Sequence, residues 1–175
     1  MSTSKLITPK ARLSFPNLFV PTKGMDGQGE PKYDAVLLFP KSTDISALRA
    51  AAEEALNAKW PGKRPVNLRD PFRDGEQREL DGYAGMIYLR VSSKVQPKVV
   101  DANVRPILDP AEIYAGAYVR ASVAAYAYEK NGNRGVAFGF RNLQKLADGE
   151  RLGGAASRPE DDFSEAAAAS AADPF

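Results

Sequence analysis

Tyr118-Val-Arg-Ala-Ser-Val-Ala-Ala-Tyr-Ala-Tyr128 alternates at most positions between small apolar side chains and aromatic or polar ones. Side chains of a strand point to opposite faces in turn. Val119, Ala121, Val123, Ala125 and Ala127 therefore share a small, apolar face suited to a tight interior. Tyr118, Arg120, Ser122, Tyr126 and Tyr128 share the other, which is aromatic and basic. The stretch reads as a long, half-buried strand.

Working outward, Lys130-Asn-Gly-Asn-Arg134 follows at once, and Asn131-Gly132 is a strong hairpin signal. Gly135–Leu146 then reads as the partner strand. Three further strands fall at 11–15, Tyr33–Phe39 and Tyr83–Ser93, with residues 17–21 an irregular exit and 24–31 a glycine-rich loop. One helix is clear: Thr43 or Asp44 caps it, and Ile45, Leu48, Ala52 and Leu56 form one stripe. Arg49 and Glu53 sit at i,i+4 on its exposed side, and Pro61-Gly62 ends it after Trp60. Residues 62–82 form a polar excursion. The prolines at 97, 106 and 110 mark a loop with a helical turn near Ala111–Tyr114. Five strands and one helix predict a mainly β fold, a five-stranded OB-type Greek-key barrel, with a two-sheet sandwich as the alternative. Residues 1–150 are expected to form this domain, and 151–175 a disordered acidic tail.

The chain has neither cysteine nor histidine. Disulfides, thiolate or imidazole metal sites and histidine-dependent triads are excluded. No cofactor and no resident metal are expected. No apolar run reaches the length of a membrane span, and no signal-peptide pattern opens the chain, so a cytoplasmic protein is expected. The net charge of +2 is unevenly spread: residues 1–158 carry +7 and residues 159–175 carry −5. A basic body implies a polyanionic partner, and a tethered acidic segment can compete with it.

Aromatic and basic side chains on one strand face are the chemistry of a base-stacking surface. Any one tyrosine can simply brace its neighbour; three beside an arginine form a platform. Tyr88 and Arg90 repeat the theme on another strand, opposite Ile87, Leu89 and Val91. Lys94, Lys98 and Arg105 in the adjoining loop, with Arg120 and Arg141, are candidates for contacting a phosphate backbone. The glycines at 24, 27 and 29 do not match a dinucleotide fingerprint. Asp70, Asp74, Glu76, Glu79 and Asp81 could form a Mg²⁺ nuclease site, but Arg69, Arg73 and Arg78 are interleaved with them. That reads as a self-neutralising loop.

The tail carries acids at Glu160, Asp161 and Asp162 followed by Phe163, and finishes Asp173-Pro174-Phe175. An aromatic among acids suits a basic pocket with an apolar floor. A docking motif is expected at Asp161, Asp162, Phe163, Asp173, Pro174 and Phe175.

Several blocks together resemble a bacteriophage family first catalogued as a domain of unknown function. These are Pro16-Asn-Leu-Phe19, Tyr83-Ala-Gly-Met86, Ser92-Ser-Lys94, Val99-Val-Asp101, Tyr114-Ala-Gly-Ala-Tyr-Val-Arg-Ala-Ser122 and Asp148-Gly-Glu-Arg-Leu-Gly-Gly154. The similarity runs over most of residues 8–163. The resemblance implies an OB-fold single-stranded DNA-binding protein acting in replication or recombination. The tail is separately similar to the acidic, phenylalanine-ending tails of bacterial and phage single-stranded DNA-binding proteins, with alanines where bacterial tails hold more acids. The expectation is a non-catalytic protein that coats single-stranded DNA and recruits replication or recombination proteins, with homodimer formation left open. The rivals are a carboxylate–Mg²⁺ nuclease and a virion structural protein.

Overall fold

β2 (Ala11–Thr22), β3 (Lys32–Pro40), β5 (Met86–Ser93), β7 (Tyr118–Lys130) and β8 (Asn133–Ala147) close into a ring. Four of its five seams are antiparallel (β2–β3, β3–β5, β7–β8 and β2–β7), and β5–β8 is parallel. This is the five-stranded OB barrel the alternation predicts. In total eight strands are found among the described residues. The three additional ones are short: β1 (Leu6–Ile7) pairs β7, β4 (Arg73–Asp74) pairs β5 and β6 (Lys98–Val100) pairs β8. The structure is a computed structural model and describes residues 5–22, 31–78, 80, 82–130 and 132–152. The loop and tail expectations at 24–30 and 153–175, and Asn131, lie outside these.

The interior follows the sequence pattern. Val119, Ala121, Val123 and Ala125 are buried, and Leu13, Leu37, Leu89, Val91 and Phe138 meet them inside the barrel. Helix α1 (Ser46–Lys59) packs on β7 and β8 and buries Leu48, Ala52, Ala55 and Leu56. At its start Asp44 accepts a hydrogen bond from the Ser46 amide at 2.9 Å. The expected Arg49–Glu53 pairing gives way to tertiary partners: Glu53 bonds Arg64 at 2.7 Å, and Arg49 lies 4.8 Å from the centre of the Phe72 ring.

β2 runs on through residues 17–21 rather than ending there, with register irregularities at Ser14/Asn17 and Asn17/Thr22. β5 begins three residues later than the pattern suggests. Tyr83 instead turns back onto the outside of the barrel, where it forms a second buried cluster with Leu38 and Leu152. β3 is thus covered on both faces. Its Leu37 and Phe39 point inward and its Leu38 lies beneath Tyr83.

The blocks 114–122 and 148–152 are packed against each other. Gly116, at φ +111°, presses its Cα against the Glu150 carbonyl, a place no side chain could share. Arg12 clasps both segments by donating to the carbonyls of Gly116 and Glu150, and the Tyr114 hydroxyl meets Asp148 at 2.9 Å.

Candidate nucleic-acid interface

The outward side chains of β5 and β7 face one groove of about 790 Å³. Tyr88 and Arg90 come from β5, and Tyr126, Tyr128 and Lys130 from β7. β4 pairs with β5 so that Arg73 stands opposite Tyr88. Lys32, Arg78 and Lys94 complete the basic lining, and among the described residues no carboxylate lines the groove.

Tyr88 has two ring contacts. Its ring lies 5.4 Å from that of buried Tyr83, and the Arg78 guanidinium is 5.7 Å from its centroid. Tyr83 is itself fixed by a 2.9 Å hydrogen bond to the buried Ser14 hydroxyl. Burial pushes the Tyr83 phenol above its ordinary pKa, with the Ser14 bond opposing that shift. Arg90 is braced by Asp34 at 2.7 Å, and Asp34 is held in turn by Asn17 at 2.7 Å. Tyr126 is 41% exposed. Beside it, Gly139 keeps the floor low: a Cβ there would reach ordinary contact with the Tyr126 ring at 3.9 Å.

The groove continues. Ser92, Ser93 and Tyr126 also line a second stretch that includes Lys5, Ser122 and Arg141. Ser93 and Arg141 pass it on to Lys98 and Asn142. Arg120 lies further along β7, where its Nε donates to Gln144 at 2.7 Å. Of the ten residues the sequence nominates for this surface, Tyr88, Arg90, Lys94, Tyr126 and Tyr128 share the main groove, while Lys98, Arg120 and Arg141 lie on its extension.

Two lie elsewhere. Tyr118 lies at the start of β7, separated from Tyr126 by register shifts against β8 at Tyr118/Val119 and Ser122/Val123. Its ring sits near Lys10 (5.4 Å) and Arg12 (5.8 Å), against Gly149. Arg105 belongs to the exposed turn after β6, where its amide donates to Asp101. Ser122, expected on the outer face, is buried, and its hydroxyl accepts from the Asn142 amide at 3.2 Å.

Lys5, Lys32, Arg73, Arg78 and Lys130 line the cleft without being nominated. Arg73 and Arg78 looked neutralised by the acids around them. In the fold Asp74 and Glu76 turn to Lys41, at 3.1 and 3.7 Å. Asp74 also caps the Glu76 amide, and that bond, with Lys41, holds its carboxyl below the usual range. Asp70 accepts from the Phe72 amide. Glu79 and Asp81 lie outside the described residues. Among the described residues, no three acidic side chains gather as a metal site would require.

The family model described as the single-stranded DNA-binding protein of Enterobacter phage Enc34 matches residues 4–173. The chain belongs to this family. Protein p50 of Acyrthosiphon pisum secondary endosymbiont phage 1 is 40% identical over 91% of the chain and 94% of its own length. Among solved structures, the Enc34 protein in complex with single-stranded DNA matches with a TM-score of 0.69 at 24% identity. That match covers 84% of this chain and 88% of the Enc34 chain. The single-stranded DNA-binding protein gp2.5 of bacteriophage T7 matches with a TM-score of 0.56 at 15% identity, over 86% and 95% of the two chains. These likenesses carry the fold. In the Enc34 family member described here, the side chains of the groove carry the chemistry.

Proposed function

We propose that the protein binds and coats single-stranded DNA without catalysing a reaction, in the replication or recombination of phage DNA in the host cytoplasm. The observation that carries this reading is the main groove: among the described residues, three tyrosines and six cations line it and no carboxylate does. Bases stack on Tyr88, Tyr126 and Tyr128, while Arg73, Arg78, Arg90, Lys94 and Lys130 meet phosphates. Lys98, Arg120 and Arg141 extend the phosphate track. A base stacked on an aromatic ring gains about 1–3 kcal/mol whatever its identity, so sequence preference is slight. The Enc34 protein's complex with single-stranded DNA supports the same ligand for a family member of the same fold.

Residues 1–150 carry DNA binding in this reading. Residues 151–175 carry partner docking, through Asp161, Asp162, Phe163, Asp173, Pro174 and Phe175. Leu152, the last described residue, is buried beside Tyr83, whose ring supports Tyr88.

A mobility shift with matched single- and double-stranded oligonucleotides in EDTA tests the proposal. Retention of the single strand, intact and in preference to duplex, is the expected result. Cleavage on adding Mg²⁺ would replace it with a nuclease, and failure to bind either form would replace it with a structural protein.

A further inference from the structure

We infer that the DNA path runs beyond the tyrosine groove into a second, apolar base-binding subsite between β1 and β6, built from Ile7, Val100 and Val104 and rimmed by Lys5, Lys98 and Arg120. The inference rests on the proposed single-strand binding and extends it.

Continuity is the first argument. The subsite is a cleft of about 600 Å³ that shares Lys5 and Ser122 with the stretch beside Tyr126, and Lys98 and Asn142 with the stretch beside Arg141. From Tyr126 to Arg120 is six residues of one strand, or about 20 Å at the usual rise. A bound strand leaving Tyr126 along β7 arrives there along a path on which, among the described residues, no carboxylate stands.

The second argument is Val104. It is 69% exposed and holds φ at +62°, a left-handed conformation that a β-branched residue seldom adopts. The turn around it enforces this. Asp101 accepts from the amides of Asn103 and Arg105, and its carbonyl accepts from the Val104 amide at 2.9 Å. Gln144 clamps the carbonyls of Asp101 and Ala102 from β8. Glycine would be the relaxed choice at such a position. A valine there instead holds an apolar side chain out over the cleft, opposite Ile7, which is 53% exposed. Strain held by a rigid turn at an exposed apolar tip marks a contact surface.

The third argument fixes the occupant. An apolar floor ringed by three cations suits a base with its flanking phosphates. A second copy of this chain would bring the same three cations to the same face, and like charges would oppose the pairing.

The test uses fluorescence anisotropy at low salt with oligothymidylates of about four and about sixteen nucleotides, the range that OB domains span. The full chain is compared with Val104→Gly, which removes the side chain and relaxes the turn, so that folding is preserved. The long strand should bind about fivefold more weakly, as expected for losing the partial burial of an exposed valine under a base, and the short strand should bind as before. An unchanged long-strand affinity, or an equal loss on both lengths, overturns the subsite. So does a change confined to self-association, which would make the face a protein contact. Tyr126→Ala on the short strand separates the two readings. If it weakens binding while Val104→Gly does nothing, only the second subsite fails. If the short strand ignores Tyr126, the groove itself is wrong.

Discussion

The rings of Tyr83 and Tyr88 meet at 5.4 Å with an interplanar angle of 57°. Tyr83 is buried and hydrogen-bonded to Ser14, while Tyr88 faces the groove. A buried, fully satisfied side chain thus fixes the pose of a ligand-facing one. A platform ring held in this way keeps little rotamer freedom, so less is lost when a base stacks on it.

Tyr83→Phe should keep the ring contact and leave the buried Ser14 hydroxyl without its partner. The expected cost is about 1–3 kcal/mol of folding stability, with single-strand affinity near that of the parent. The Tyr83 phenol is raised above 10.0 in the folded protein, chiefly by burial. Its neutral form is therefore favoured by folding. That contribution is complete below the unfolded value of 10.0 and is lost as pH rises through the higher folded value. Denaturant melts at increasing alkaline pH should show a steeper decline for the parent than for Tyr83→Phe. Parallel declines would contradict this.

Single-strand binding should weaken steeply with salt. If about four to six phosphates are contacted, log K against log salt falls with a slope of roughly −3 to −4. Arg73→Gln or Arg78→Gln should each make the slope shallower by about 0.7, as measured by anisotropy across a salt series. An unchanged slope in both variants would remove them from the phosphate track.

The five ring strands were legible because a half-buried strand must alternate, and residues 118–128 do so at every position but Ala124. The helix was legible from Ile45, Leu48, Ala52 and Leu56. β1, β4 and β6 were not, since two or three residues carry no period to read. Tyr118 shows the limit of the alternation rule: it has the same parity as Tyr126 and Tyr128, but it starts the strand, two register shifts against β8 away, and packs by Lys10 and Arg12. Arg73 and Arg78 show another limit. Charges adjacent in sequence look neutralised, but Asp74 and Glu76 turn to Lys41 while the arginines face the groove, a choice made only by tertiary contacts.

Gly116→Ala should destabilise the fold by about 1–3 kcal/mol. Its φ is +111°, and an added Cβ would strike the Glu150 carbonyl. Thermal melts check this, and an alanine variant as stable as the parent would mean the two segments part at little cost.

Deleting residues 159–175 should raise single-strand affinity, most visibly at low salt, because five tethered acids compete for the basic groove at high effective concentration. Deleting Phe175 alone should leave DNA affinity almost unchanged and reduce capture of replication or recombination proteins from infected-cell lysate. Equal affinity of the tail deletion and the full chain at low salt would remove the competition.

The most direct test of the tyrosine groove is the single-strand affinity of Tyr126→Ala set beside that of Tyr118→Ala. Both rings come from β7, but only Tyr126 lines the groove. Anisotropy with one oligothymidylate should show Tyr126→Ala binding weaker by about 1–3 kcal/mol with its salt slope unchanged, and Tyr118→Ala binding like the parent. A folded Tyr126→Ala that binds as tightly as the parent, or a loss that falls on Tyr118→Ala instead, would contradict the account.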